Sequence, residues 1–579
     1  MTRAPSTSAT RRRTAAIHVA VLLAVSWALY AGTLGYDFTN WDDPDTVAEN
    51  PYIRSAGRLG AVFDPREAGT SGIPGVYRPV WTLSYAVDYA LGGMNPRVFH
   101  AHNVLLHSLN SVAVYILALA LGLGAFPALV AGLFFAAHPV HVEAVAWISG
   151  RNELLLTFFF LLAFLLARFR AGLDGRPRMG MLLLSMLFLV LALLSKITAA
   201  VFVFVLYGAY RWFRTDDRES SCGRVCALRH VPYLLLSALI AAIEVFVARP
   251  GVVVQTGTEG SRAATLLTIP KLVLTYLSSL VWPLGLAPRY DTRFFQNVSA
   301  GFLLTAIGLL AVLAAAVWIA RRSRVFGLSA WWFAWTLLPA SNLVMLSTFR
   351  ADRFLYLPSV AFSLAAALLF RRAWKRPRSL FGTARLLAVA IPALLVFHAG
   401  VTLDQTRMWR SGTALWENTV ERSPGDYMAW HNLGAAHQET GRTDDALRAL
   451  QRSVDLNPNW AKSRSNLGQA LARSGRTEEA ERHLRRAMDL DPAYAPPYAS
   501  LGILYAQAGR FPEAVDILIR AIRLDPDRAV PHLNLGQVYL QMGRAEDARR
   551  ELTRARDLGL PPAFRSRAEE LMDAIERAR

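Results

Sequence analysis

The chain has 579 residues, of which 53% are hydrophobic and 18% are charged, and its mean hydropathy is +0.28. Soluble domains usually carry about 25% charged residues, so this composition excludes a wholly soluble protein. The formal net charge of +19 indicates a membrane or a nucleic acid as partner. The chain has only two cysteines, which excludes a disulfide scaffold and a cysteine-rich metal domain.

Up to residue 402 the sequence is a series of apolar segments, and a spanning helix needs about 20 apolar residues. We predict eleven spans, near 15–35, 99–123, 126–148, 153–170, 179–194, 197–213, 231–248, 301–320, 326–346, 353–370 and 384–402. Segment 265–286 is also apolar, but Lys271 and two prolines interrupt it. A full crossing there would also invert the side of the basic cluster that follows. We therefore expect this segment to be interfacial or re-entrant.

Basic clusters set the orientation, because short loops rich in Lys and Arg stay in the cytoplasm. One such cluster precedes the first span, so residues 1–14 are predicted to be a cytoplasmic N-terminus. The other clusters lie at 168–178, 211–229, 321–324 and 371–378, and eleven spans place them all on the same side. Because these charges sit in short loops and form no continuous groove, we predict no nucleic-acid partner.

The C-terminal third contains a repeat of 34 residues. Leu-Gly pairs recur at 433–434, 467–468, 501–502 and 535–536, with Ala, Gly and Pro at matching steps. This spacing is typical of the tetratricopeptide repeat, a pair of helices closed by proline. We predict a linker with an incoming half-repeat at 403–426, four repeats at 427–560 and a capping helix at 561–579. Such repeats bind a polypeptide or serve as a scaffold, and the sequence leaves both open.

The loop between the first two spans, residues 36–98, carries the most acidic motif, Asn40-Trp41-Asp42-Asp43-Pro44. Neighbouring carboxylates raise one another's pKa, which favours a base or a cation site. The alternative is a helix start, with Asp43 as N-cap and proline in the first turn. Further along, Tyr77-Arg78-Pro79 places an arginine between aromatic residues, where it binds a lipid phosphate or anchors the loop at the membrane surface.

Polar residues also lie within the predicted spans, where they are costly and usually face a cavity or a substrate path. His102 and His107 begin the second span, and His138, His141 and Glu143 end the third. A transition metal bound by the latter three is one interpretation, and polar packing or hydrogen bonds to substrate is the one we favour. Charged and polar residues at other predicted outer positions complete the candidate set: Arg151, Asn152, Lys196 and Arg353.

These motifs, in this order, resemble the transmembrane-and-tetratricopeptide O-mannosyltransferases and their bacterial relatives, which are glycosyltransferases of the GT-C class. The matching segments are Asn40 to Pro44, Tyr77 to Pro79, His102 to His107, His138 to Ala146, Gly150 to Leu154, Trp282-Pro283, Asp352 to Pro358 and the repeats. The resemblance implies an all-α chain, with a GT-C-like membrane domain at 15–402 followed by an α-solenoid. It also implies a bacterial inner membrane location, with the repeats outside the cytoplasm.

The resemblance further implies a polyprenyl-phosphate sugar donor and transfer to Ser or Thr hydroxyls of a polypeptide held by the repeats. The family's acidic pair falls on Asp42 and Asp43, which we assign as catalytic, with a divalent cation as an open alternative. We assign the donor phosphate to Arg78, Lys196 and Arg353. Residues expected to line the substrate site are Trp41, Tyr77, His102, His107, His138, His141, Glu143, Arg151 and Asn152. Rival interpretations are an oligosaccharide polymerase or ligase, and a non-catalytic membrane scaffold.

Overall fold

The computed structural model describes residues 8–577 apart from 68, 74, 170–178, 214–229, 249–260, 345, 347, 376–382 and 561. Every regular element among these residues is a helix, as the sequence predicts. The chain forms two compact units, residues 1–415 and 416–579. Parts of the predicted basic clusters, at 170–178, 214–229 and 376–378, lie outside the described residues.

The first unit contains fourteen described α-helices and the start of a fifteenth. They are α1 (Ser8–Tyr30), α2 (Pro79–Gly92), α3 (Pro96–Ala120), α4 (Ala125–Ala137), α5 (Val142–Ala146), α6 (Arg151–Phe169), α7 (Met179–Ser195), α8 (Phe202–Phe213), α9 (Val231–Ala242), α10 (Arg262–Val281), α11 (Ala300–Ala320), α12 (Arg324–Leu337), α13 (Ser359–Lys375), α14 (Thr383–Thr406) and α15 (Gly412–Arg422). Short 3₁₀ and π turns connect several of them, including Pro44–Ala48 and Asp352–Leu355.

Six helical segments of the described chain are long and apolar enough to cross a membrane, and a seventh qualifies if a bent pair is one span. Five of them coincide largely with α1, α3, α6, α10 and α11, and the sixth is Val389–Arg410. The bent pair is α4 with Pro139–Ala146, which meet at 50°. Three shorter apolar helical segments lie at Met179–Ser195, Ile197–Phe213 and Val231–Val247. The chain is therefore a multi-pass membrane protein, while the count of eleven crossings stays a prediction.

Helix α10 differs from the interrupted segment that the sequence predicts at 265–286. It is one continuous helix of 20 residues, and Pro270 lies inside it without ending it. Moving along α10 from its start to its end, the neighbouring residues of α11 also increase in number. Phe295, whose N–H donates to Thr268 Oγ1 over 2.9 Å, contacts Phe302, while Leu274 lies beside Gly308. The two helices therefore run in the same direction, although they are consecutive in the chain.

The break between α4 and α5 follows from Pro139, which cannot continue a helix and leaves the last carbonyls of α4 without backbone partners. Three side chains from other segments supply the missing hydrogen bonds. His141 Nδ1 donates to Phe135 O over 2.8 Å, His107 Nε2 to Ala136 O over 3.0 Å, and Thr402 Oγ1 to Ala137 O over 2.8 Å. Because lipid offers no hydrogen bonds, a bent pair that enters a membrane as one span needs such contacts at its break.

The second unit is a solenoid of helix pairs. The first helices of the four repeats, called A helices here, are α16 (Tyr427–Glu439), α18 (Ala461–Arg473), α20 (Ala495–Gln507) and α22 (Ala529–Gln541). Their partners, the B helices, are α17 (Thr443–Leu456), α19 (Thr477–Leu490), α21 (Phe511–Leu524) and α23 (Ala545–Asp557), and α24 (Pro562–Arg577) follows. The turn glycines at 441, 475, 509 and 543 have φ of 73–77°, which glycine adopts without strain.

Candidate functional site

The two carboxylates of the loop between the first two predicted spans have different surroundings. Asp43 is buried, and its side chain accepts four hydrogen bonds: from Thr39 N over 2.9 Å and Thr39 Oγ1 over 2.8 Å, and from Ser149 N over 3.0 Å and Ser149 Oγ over 2.5 Å. Burial raises the pKa of Asp43, and these hydrogen bonds oppose the rise. Asp43 therefore fastens the acidic loop to the turn after α5.

Asp43 does precede a helical turn with proline in its first position, as the N-cap interpretation predicts. The capping bond itself is absent, because the carboxylate bonds Thr39 and Ser149 and not the N–H groups of the turn. The carbonyl of Asp42 instead accepts from the N–H of Thr46 over 2.9 Å and from Thr46 Oγ1 over 2.7 Å.

Asp42 is half-buried, and none of the described hydrogen bonds uses its carboxylate oxygens. Burial raises the pKa of Asp42 to about 6, the positive charges of Arg353 and Arg78 oppose this rise, and the neighbouring Asp43 and Asp45 add to it. A carboxylate that titrates near neutral pH accepts a proton more readily than an ordinary aspartate. Of the predicted acidic pair, Asp42 is thus the candidate base.

Two of the predicted phosphate-binding cations are held by carboxylates. Arg353 forms an ion pair with Glu143, and its backbone N–H donates to the same carboxylate over 2.8 Å. Lys196 forms an ion pair with Glu153. The side chains of Arg353 and Lys196 keep exposed fractions of 14% and 12%. Each cation is thus fixed in place while part of it still reaches the surface.

The third cation, Arg78, lies at the start of α2, with its guanidinium 5.3 Å from the ring of Trp81. The charges of Arg78 and Arg353 act on both Asp42 and Lys196, so these four groups form one electrostatic cluster. Tyr77, the residue before Arg78, is buried and donates to Phe63 O over 2.9 Å, which fixes the backbone at this point.

Three tryptophans stack beside this cluster. The ring of Trp41 lies 4.6 Å from that of Trp147 and 6.4 Å from that of Trp409, at angles near 15°. The Arg353 guanidinium sits 5.7 Å from the Trp41 ring and 5.3 Å from the Trp147 ring. Trp41 is a predicted site residue, whereas sequence reasoning missed Trp147 and Trp409, because nothing in their local sequence indicates that they meet.

A further carboxyl group that the sequence left unassigned lies next to Arg353. Asp352 is buried and accepts from Tyr290 Oη over 2.7 Å, and the Arg350 guanidinium lies 3.6 Å from the Tyr290 ring. Burial raises the pKa of Asp352 to about 7, and the charge of Arg350 opposes this rise. The site thus has a second carboxyl group that titrates near neutral pH, at its edge.

Other predicted residues belong to a buried polar network centred on Asp88. Arg151 is fully buried and binds Asp88 over 2.5 Å, Asn103 over 2.7 Å and Phe99 O over 2.9 Å. His102 also binds Asp88, over 2.7 Å. This network joins α2, α3 and α6. Sequence reasoning missed Asp88, its central member.

The predicted histidines of the third span lie at helix ends. His138 Nε2 donates to Leu280 O over 2.9 Å, and His141 and His107 cap α4 as described above. All three are buried among protein partners. Asn152 is buried, and its Oδ1 has no partner in the described part of the chain. Substrate contact by these residues stays a prediction.

The described residues contain no group of three or more His, Cys, Asp or Glu side chains arranged to hold a metal ion. Glu143, a member of the metal interpretation, is occupied by Arg353. The side chain of Asp43 is likewise engaged by Thr39 and Ser149, so Asp42 and Asp43 do not form a shared two-carboxylate site.

Both parts of the chain are similar to known proteins. Models of the tetratricopeptide repeat match residues 425–493, 471–530 and 505–563. Among solved structures, a thermophilic tetratricopeptide-repeat protein of Thermus thermophilus is 24% identical, with a TM-score of 0.26, and the match covers 31% of this chain and 94% of that one.

Relatives that align with more than three quarters of this chain include protein O-mannosyl-transferases of animals. F38B6.6 of Caenorhabditis elegans is 27% identical over 457 residues, which cover 76% of this chain and 63% of the relative. Tmtc1 of Drosophila melanogaster is 27% identical, with 79% and 64% covered. The chain thus spans less than two thirds of these relatives. It is a homologue of the protein O-mannosyl-transferases with tetratricopeptide repeats in its C-terminal region.

Proposed function

We propose that the chain is a membrane glycosyltransferase that moves a sugar from a polyprenyl-phosphate donor to a hydroxyl group, of Ser or Thr in a polypeptide. The observation that carries this proposal is Asp42, a half-buried carboxylate whose pKa is raised to about 6 beside two arginines. A base next to cations suits a reaction in which a hydroxyl loses a proton while a phosphate leaves. The homology to protein O-mannosyl-transferases supports the same reaction class.

In the proposed step, the acceptor hydroxyl gives its proton to Asp42 as its oxygen bonds to the anomeric carbon. The bond between that carbon and the phosphate oxygen breaks, and its electron pair leaves with the polyprenyl phosphate. Attack opposite the leaving group inverts the anomeric centre. Arg78 makes the first contact with the phosphate, and Lys196 and Arg353, held by their glutamates, add positive charge as the negative charge on the leaving group grows.

The orientation is part of the proposal. We place the N-terminus in the cytoplasm of a bacterial inner membrane, and Asp42 and the repeats on the periplasmic side. The parallel course of α10 and α11 supports this arrangement. If the connection between two consecutive parallel helices stays on one side of the membrane, the two helices cannot both cross the membrane. Segment 261–299 then enters and leaves from outside, which agrees with the interfacial or re-entrant placement expected for residues 265–286.

The decisive experiment uses the full chain in lipid nanodiscs with a synthetic polyprenyl-phosphate mannose carrying a radioactive sugar. A Ser/Thr peptide and a lipid-linked glycan serve as alternative acceptors. Labelled peptide supports the proposal, and it should disappear in Asp42→Asn while the protein remains inserted. Labelled glycan alone would establish a polymerase or ligase. A scaffold would give no product with any sugar or acceptor.

A second experiment tests the orientation. Protease added to intact spheroplasts should remove the repeats while leaving a cytoplasmic marker protein uncut. Protection of the repeats in spheroplasts, followed by digestion once the membrane is permeabilised, would overturn the proposed topology.

A further inference from the structure

The loop that carries Asp42 is attached on both sides of this residue. On one side, the carboxylate of Asp43 accepts four hydrogen bonds. On the other side, Asn40 and Trp41 contact segment 407–412, which directly follows α14. None of the described hydrogen bonds uses the carboxylate oxygens of Asp42. Its neighbours in the loop therefore determine where this carboxylate lies.

Trp409 supplies the aromatic part of this contact. It lies in the 3₁₀ turn Arg407–Arg410, and its side chain is buried. Its ring lies 6.4 Å from that of Trp41 at an angle of 16°, and 6.1 Å from that of Trp147 at 26°. Stacked aromatic rings stabilise one another through the apolar area that they bury and through their quadrupoles. Trp409 therefore holds the Trp41 ring in place, 5.7 Å from the Arg353 guanidinium.

Gly412 supplies the backbone part of the contact. It begins α15, and a Cβ atom added to it would lie 2.3 Å from Asn40 Oδ1, 2.9 Å from Asn40 Cγ and 3.3 Å from Asn40 N. The backbone conformation of Gly412 does not itself require glycine, because its φ is not positive. Alanine is also the better helix former. The close approach of Asn40 is therefore the feature of the structure that needs a glycine at this position.

We propose that a clamp of four residues positions the carboxylate of Asp42 for proton transfer; its members are Asn40, Trp41, Trp409 and Gly412. A general base must lie within hydrogen-bond reach of the proton that it accepts, and a misplacement of about 1 Å lowers a rate by up to about 100-fold. Because Trp409 and Gly412 act through the loop, substitutions of them should lower kcat and leave the KM values of donor and acceptor nearly unchanged.

The assignment of Asp42 as the base rests on the proposed function. The contacts of the clamp do not, because they can be measured without a sugar donor. The first two experiments below therefore need no turnover, and the others use the transfer assay.

A disulfide tests the contact itself. The two Cβ atoms of a disulfide lie about 3.8 Å apart, and the close approach of Asn40 to Gly412 permits this geometry. The full chain in nanodiscs, with Cys222→Ser and Cys226→Ser as background, carries Asn40→Cys/Gly412→Cys. Mild oxidation should join the two peptides, which mass spectrometry detects. The matched control Asn40→Cys/Gly400→Cys uses a glycine in α14 with no atom within 4 Å of its Cβ position, and it should stay reduced. No disulfide in the first pair, or equal yields in both pairs, would overturn the proposal.

Chemical labelling then reports on the carboxylate of Asp42. A water-soluble carbodiimide reacts with accessible carboxyl groups, and peptide mass spectrometry gives the rate for each residue. Gly412→Ala displaces the loop and should speed the labelling of Asp42, while the exposed Glu67 is labelled as in the parent. Unchanged labelling of Asp42 in Gly412→Ala would contradict the clamp.

A double-mutant cycle tests the consequence for sugar transfer. Gly412→Ala should lower kcat by about tenfold to 100-fold, because the added methyl group displaces Asn40 and with it Asp42. Asn40→Ala removes the side-chain atoms that the methyl group meets, so in that background Gly412→Ala should lower kcat by less than about twofold. Gly400→Ala has open space for its methyl group and should keep the kcat of the parent. An equal loss from Gly412→Ala in both backgrounds would overturn the proposal.

Trp409 gives an independent pair of variants. Trp409→Phe keeps an aromatic ring against Trp41 and should retain kcat within about threefold, whereas Trp409→Ala should lower it by at least about tenfold. A loss that appears in KM while kcat is unchanged would contradict a positioning role. Circular dichroism checks that each variant is folded, and the Gly412 cycle decides the question if Trp409→Ala is not.

The clamp and the proposed function fail separately. If the disulfide forms and Gly412→Ala alters the labelling of Asp42, but neither parent nor variant transfers sugar, the clamp stands and the proposed function falls. If the parent transfers sugar and Gly412→Ala transfers it equally fast, the clamp falls and the transferase stands.

Discussion

Asp42 predicts a specific pH dependence of sugar transfer. The ionised form of Asp42 accepts the proton, so kcat/KM should rise with pH. This rising limb of the pH profile should be centred near pH 6, the pKa of Asp42. One pH unit below that value only about a tenth of the molecules hold the carboxylate, and the rate should be roughly a tenth of its plateau. Asp42→Asn removes the base, which is worth about 100-fold to 10,000-fold, and should abolish the limb.

Asp45 provides a second perturbation with a known sign. Its negative charge helps to raise the pKa of Asp42, so Asp45→Asn should lower that pKa and move the limb to lower pH. Asp45 is exposed, and a surface charge interaction is worth about 0.2–1 kcal/mol. Because one pKa unit corresponds to about 1.4 kcal/mol, the pKa of Asp42 should fall by roughly 0.1–0.7 units.

The assay is the initial rate of transfer to a Ser/Thr peptide between pH 4.5 and 8, with the parent, Asp42→Asn and Asp45→Asn in parallel. A limb that survives in Asp42→Asn, or that moves to higher pH in Asp45→Asn, would refute the assignment of Asp42 as the base.

Three predictions concern stability, each measured as the midpoint of thermal unfolding of the full chain in detergent. Asp43→Asn places an N–H₂ group against N–H and O–H donors and loses two of four hydrogen bonds. The free energy of unfolding should therefore fall by at least about 3 kcal/mol, whereas Asp42→Asn should leave the midpoint unchanged. Asp88→Asn leaves a buried guanidinium unpaired and should cost about 3–5 kcal/mol, and an unchanged midpoint would contradict the buried ion pair. Gly502→Val should cost about 1–3 kcal/mol in the repeats, because a Cβ there would lie 2.6 Å from Leu518 Cγ; tolerance of valine would contradict this close packing.

The repeats could be read from the sequence because their determinants are local. Gly502 packs against Leu518 in the same helix pair, and the turn at Gly509 lies between them, so each 34-residue unit contains the contacts that define it. In the membrane unit, by contrast, important contacts join residues that are far apart in the sequence. Asp43 and its partner Ser149 are 106 residues apart, and no pattern around either residue links them.

The candidate site, too, could be predicted from the sequence only in part. The motif Asn40 to Pro44 indicated where a base would lie, but its two carboxylates are equivalent in sequence. Only the hydrogen bonds that hold Asp43, and their absence at Asp42 among the described bonds, separate an anchor from a candidate base. The histidines were found by their spacing, whereas the helix-end carbonyls that His107 and His141 bind belong to main chain and leave no trace in side-chain patterns.

The capped end of α4 has a consequence for how the chain is made. Two of the donors that satisfy its last carbonyls, His107 and His141, lie within about 35 residues of the break, but the third, Thr402, is supplied by α14, more than 260 residues later. Until the ribosome has synthesised α14, Ala137 O lacks this partner. The nascent membrane unit therefore keeps this carbonyl without its Thr402 partner for most of its synthesis, and the hydrogen bond can form only shortly before the repeats are made.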